Sequence, residues 1–166
     1  LMINGRKCLD NPEDYNARAE MMLVCTYGCN DIYSLGNSQS GWPCQGLEHA
    51  LSAYYDITHG EGLAIITPRW MKHILSDKTV DRFVKYGVNV FGIDSNLDKM
   101  EIANKAIEET YKFYESINIP MHLKDVGIDE SRIETMAKHV ADNEGLENAW
   151  APLLQEDIAA IFRASL

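Results

Sequence analysis

Apolar residues recur at helical spacing from one end of this chain to the other, and no run shows sustained alternation of apolar with polar residues. A chain so patterned buries its stripes only by packing helix on helix. The expected fold class is therefore all-α, a multi-helical bundle of about seven helices. The 166 residues suffice for a single domain over 1–166 with its own core, and 46% hydrophobic with 24% charged residues is ordinary for a folded protein.

The leading LMING reads as the end of a helix already under way, and the amino terminus as cut. Asn11, Pro12, Glu13 and Asp14 read as a helix start, with proline near the first position and acids in the first turn, so a helix is expected over about 12–32. Along it Tyr15, Ala19, Met22, Leu23, Thr26 and Tyr27 form an apolar stripe, and Cys25, Gly28 and Cys29 suit close packing. It reads as a core helix. Residues 36–43 are a loop by composition. Further helices are expected over about 79–90, closed by Gly92, over about 97–116 after a turn at 94–97, over about 128–140, and over about 155–164. Residues 118–127 form an irregular connection.

The stretch 44–75 holds three of the five histidines. Leu47, Leu51 and Tyr54 or Tyr55 fall on one helical face, while Gln45, His49 and Ser52 recur on another, which makes a helix with a polar seam. That helix is expected to stop near Asp56, because Thr58 and Glu61 have the spacing of a capping box that starts a new helix at His59. One straight helix would hold Gln45 and His59 roughly 20 Å apart, at a rise of about 1.5 Å per residue. A bend at 55–58 brings them together. Gly60 and Gly62 leave the new first turn without bulk, so a substrate, metal or neighbouring helix can approach the backbone. Residues 63–75 are apolar nearly all round and should form the most buried helix, kinked at Pro68. Spacing alone leaves His49 and His59 open between structural and site roles. Tyr54, Tyr55, Trp70 and Met71 read as core, and His73, His122 and His139 lack motif partners.

The formal net charge of −10 argues against nucleic acid and anionic membrane surfaces as partners, since both call for basic patches. No apolar run reaches the roughly 18 residues that span a bilayer, and no signal peptide is evident, so the expected location is cytoplasmic. Cys8, Cys25, Cys29 and Cys44 lack zinc-ribbon spacing, and reduced thiols are expected.

The run EHALSAYYDITHGEGLAIITPRWM resembles the histidine-containing signature of the iron-containing alcohol dehydrogenases, in their butanol dehydrogenase branch. The likeness extends less sharply through NGRKCLDNPEDYNARAEMML and to the final LQEDIAAIFRASL. It implies the C-terminal helical domain of that fold, which is dehydroquinate synthase-like. Family members also carry an N-terminal nucleotide-binding α/β domain and, upstream of the matched part, an Asp and a His that ligate the metal. The resemblance implies hydride transfer between NAD(H) or NADP(H), bound mainly by the N-terminal domain, and a primary alcohol or aldehyde of butanol-like kind. It implies Fe(II) or Zn(II) as Lewis acid, a homo-oligomer, dimeric when intact, and an inactive fragment. On matching positions His59 is a metal ligand, and His49 is the residue near the nicotinamide that assists proton exchange. The remaining ligand position, a histidine in the family, is Gln45 here, and a neutral carbonyl oxygen is a weaker donor for iron or zinc. A free-standing helical metal-binding module using His49, His59 and a carboxylate such as Asp56 or Glu61, or a non-catalytic interaction domain, are the alternatives. An upstream reading frame encoding a nucleotide fold would separate them from the dehydrogenase.

Overall fold

The computed structural model describes residues 1–36 and 42–166, so most of the loop expected at 36–43 lies outside the described residues. Among those described there are eight α-helices, four single 3-10 turns and no strand, in two compact units, Leu1–Ser40 and Gly41–Leu166. The all-α expectation holds.

In the first unit, α1 (Met2–Asp10) carries the LMING helix on to Asp10, and α2 (Tyr15–Cys29) packs against it. The second helix starts later than the acids and proline suggested. Asp14 is its N-cap and accepts from the Ala17 backbone N–H at 3.0 Å, which leaves Asn11, Pro12 and Glu13 in the turn ahead. Nor is α2 a core helix. Only Ala17 is buried, while Tyr15 and Met22 are 80% and 74% exposed, because the nine-residue α1 is too short to cover the stripe.

The second unit holds α3 (Pro43–Tyr55), α4 (His59–Ile74), α5 (Val80–Phe91), α6 (Lys99–Ser116), α7 (Ile133–Asn143) and α8 (Gln155–Ala164). Helix α4 is central, packed against α3, α6 and α8, and buries Gly62, Ala64, Ile65, Ile66, Pro68, Met71 and Ile74. The most buried helix is the expected one. It runs on through Pro68, whose ring removes a main-chain donor. Beside that gap the Thr67 hydroxyl donates to the Leu63 carbonyl at 2.6 Å and the Arg69 guanidinium to the Ile65 carbonyl at 3.1 Å. Helix α7 begins at Ile133, later than periodicity suggested, because Asp129 accepts from Ser131 N–H at 2.9 Å and winds 130–132 into a 3-10 turn. Phe162, Leu47, Leu51, Ile65, Met136 and Ile158 are among the fully enclosed side chains that join these helices in one core. The result that matters for function is that α3, α4 and the end of α7 meet at one edge of the unit.

Candidate functional site

The hairpin between α3 and α4 turns on Asp56, held at φ 54° and ψ 38°, a left-handed conformation that Asp tolerates better than most side chains. The bend falls where it was expected, although the device differs. Thr58 is the N-cap of α4, yet its hydroxyl makes no capping bond, and Glu61 meets it only through its backbone N–H to the Thr58 carbonyl at 2.9 Å. His49 and His59 are thereby brought into one site. Their rings lie 6.0 Å apart between centroids and are inclined by 25°.

Behind His59 sits Glu48, whose side chain is 0% exposed. Both carboxylate oxygens are bonded: His59 Nδ1–H donates to Oε2 and the Ser52 hydroxyl donates to Oε1. A carboxylate sealed from water persists only with such partners. Room for it comes from Gly62, since a Cβ there would lie 2.7 Å from Glu48 Cγ and 2.8 Å from Oε1. The close approach anticipated at the glycines is therefore that of a neighbouring helix's carboxylate, and only at Gly62; at Gly60 a Cβ would meet nothing within 4 Å.

On the outer side of the seam, the Gln45 amide Nε2 lies 3.2 Å from His49 Nε2, and His49 Nδ1 lies 3.5 Å from Glu144 Oε1. Gly46 does for Glu144 what Gly62 does for Glu48: a Cβ on it would fall 3.0 Å from Cγ and Oε2 of that side chain. The side chains of His49 and His59 are 51% and 47% exposed, so both rings reach solvent.

The donor set suits a divalent metal in part. Ligating histidines characteristically give their second ring N–H to a carboxylate, which orients the ring and raises the basicity of the coordinating nitrogen. His59 has that support from Glu48, with Nε2 as the remaining donor, and Gln45 offers an amide oxygen. No group of three or more His, Cys, Asp or Glu is placed to hold an ion among the described residues. A supported imidazole nitrogen and an amide oxygen are donor types that such an ion accepts, and neither completes a shell. Described cavities lie elsewhere, one of about 320 Å³ lined by Arg69, Lys72 and Tyr111, another of about 360 Å³ by His73 and Trp150. His73 bonds instead to Asp157 at 3.0 Å, and His139 packs edge-on against Tyr54. All four cysteines are free, and burial pushes the Cys44 thiol up to about 11, an unreactive group.

Glu48 opens the histidine-containing run but was given no role there, and Glu144 lies in no motif. Glu48 was visible as the neighbour of His49 and as a polar residue between Leu47 and Leu51, whereas Glu144 has no local signal, because its contact with His49 spans 95 residues.

A family profile described as Fe-containing alcohol dehydrogenase family, C-terminal, matches residues 1–166. NADH-dependent butanol dehydrogenase A of Clostridium acetobutylicum is 45% identical over 162 residues, covering 97% of this chain and 41% of that protein. NADH-dependent butanol dehydrogenase B of the same organism is 41% identical over 164 residues, covering 98% and 42%. The crystal structure of NADH-dependent butanol dehydrogenase A from Thermotoga maritima matches with a TM-score of 0.87 at 31% identity, over 99% of this chain and 42% of that one. The chain spans about two fifths of the length of the curated relatives it matches.

Proposed function

Because the chain belongs to the iron-containing alcohol dehydrogenase family, we propose that it forms the C-terminal part of an NAD(P)-dependent enzyme that interconverts a primary alcohol of butanol-like size and its aldehyde. The observation that carries this reading is the buried Glu48 behind His59. A fully enclosed carboxylate beside a half-exposed imidazole is costly as a surface ornament and useful as support for a coordinating ring.

In this reading His59 through Nε2 and Gln45 through Oε1 are this chain's donors to Fe(II) or Zn(II). When bound, such an ion supplies a Lewis acid that favours negative charge developing on the reacting oxygen. Glu48 holds the His59 ring by Nδ1, and Ser52 holds Glu48. His49, with Nδ1 held toward Glu144 and the ring open to solvent, serves proton exchange beside the nicotinamide. The relatives' names specify NADH, and we assign the nicotinamide cofactor mainly to residues outside this chain, in a homodimer. No helix among the described residues is long and apolar enough to cross a membrane.

The test joins this chain to the amino-terminal part of the Clostridium acetobutylicum relative, replacing the matched 41% of that protein. The chimera is expected to reduce butyraldehyde with NADH, and His49→Ala to lower its kcat by roughly 10²-fold. The 166-residue chain alone is expected to turn over no alcohol with NAD(H) or NADP(H). A folded, metal-loaded chimera without turnover would overturn the reading.

A further inference from the structure

Glu144 is built into position rather than left at the surface by chance. It follows the last residue of α7, its N–H bonds to the Val140 carbonyl at 2.9 Å, and the left-handed Gly145 (φ 62°) then turns the chain so that Leu146, 3% exposed, anchors in the core. From there the carboxylate reaches α3 through the space that Gly46 leaves. A carboxylate only accepts. At 3.5 Å a ring nitrogen facing it is favoured as N–H, since a lone pair in that place would oppose the negative oxygen. With the proton on Nδ1, the neutral imidazole carries its lone pair on Nε2, and only a donor is welcome there. The group 3.2 Å from Nε2 is the Gln45 side-chain amide nitrogen. An amide has one donor end and one acceptor end, so committing the NH2 to His49 leaves Oε1 as the free end.

We propose that Glu144 is a positioning residue that acts through His49 on Gln45, fixing the imidazole tautomer and thereby turning the Gln45 carbonyl oxygen out as the donor that replaces an imidazole at this position. This deepens, and rests on, the reading of Gln45 as a metal donor. It also gives Gly46 a function: an alanine Cβ there would crowd the Glu144 side chain, which would have to give by a few tenths of an ångström.

The experiment uses the metal-free 166-residue chain, with long-range proton–nitrogen spectra of the histidine rings and hydrogen exchange of the Gln45 side-chain amide. Wild type is expected to show His49 with the proton on Nδ1 and a Gln45 amide protected from exchange. Glu144→Ala should lose the Nδ1–H signal in favour of the Nε2–H form that histidine prefers in water, and should lose the Gln45 protection with it. Gly46→Ala, which crowds Glu144, should diminish both signals, and Glu144→Gln, whose amide can turn either its oxygen or its NH2 to Nδ1, should restore them only in part. A wild-type His49 already protonated on Nε2, or a tautomer unchanged in Glu144→Ala, would overturn the proposal. Because these signals are read without metal, failure of the metal reading, seen as absence of cobalt(II) binding at Gln45 and His59 in the same sample, is distinguishable from failure of the relay.

Discussion

His59→Ala is expected to destabilise the chain by about 2–3 kcal/mol, a core-sized loss from a residue whose side chain is 47% exposed. The cost resides in Glu48. Removing the imidazole leaves one oxygen of a fully enclosed carboxylate without its donor, and deleting one partner of a sealed pair costs about 3–5 kcal/mol. Water entering the space vacated by the half-exposed ring reduces this, hence the lower figure. The double variant His59→Ala/Glu48→Met should recover most of the loss, since an apolar side chain of similar length needs no donor. Urea midpoints at unchanged m-value measure both. A single variant within about 0.5 kcal/mol of wild type, the range of an ordinary surface substitution, would show that Glu48 is not dependent on His59.

Gly62→Ala should cost about 2 kcal/mol, against a helix propensity that by itself favours alanine by about 1 kcal/mol. Its Cβ would overlap Glu48 Cγ at 2.7 Å and crowd Ile57 Cδ1 at 3.1 Å, and Glu48 has no slack because both its oxygens are engaged. Gly60→Ala in the same first turn meets nothing within 4 Å and should be neutral or stabilising by up to about 1 kcal/mol. Thermal or urea unfolding of the pair decides the matter, and equal effects at the two glycines would contradict a close approach of Glu48 at Gly62 alone.

Much of the site was legible because it is local. The switch from Tyr55 to His59, the polar seam of Gln45, His49 and Ser52, and the burial of α4 all follow from spacings of a few residues. The physical support for the site was not local. Glu48 borders the polar seam next to Ser52, where sequence gives no sign that its carboxylate is fully enclosed, and Glu144 reaches His49 only once α7 packs on α3. Tertiary packing likewise decided α2, whose stripe reads as core although only Ala17 is covered. At α2 the Asp14 side chain, not the apolar period, sets where the helix begins, and ahead of α7 Asp129 caps a 3-10 turn that the period does not show.

Paramagnetic mapping of cobalt(II) on the 166-residue chain tests whether His59 and Gln45 hold the metal. With an imidazole backed by a buried carboxylate and one amide oxygen as donors, affinity should be weak but above that of a lone exposed histidine, so titration reports where the ion dwells. Broadening is expected to be strongest at the His59 ring and next at the Gln45 side chain, and to vanish from both in His59→Ala. Broadening spread evenly over the five histidines, or centred on His73, His122 or His139, would contradict the proposed metal site at this edge.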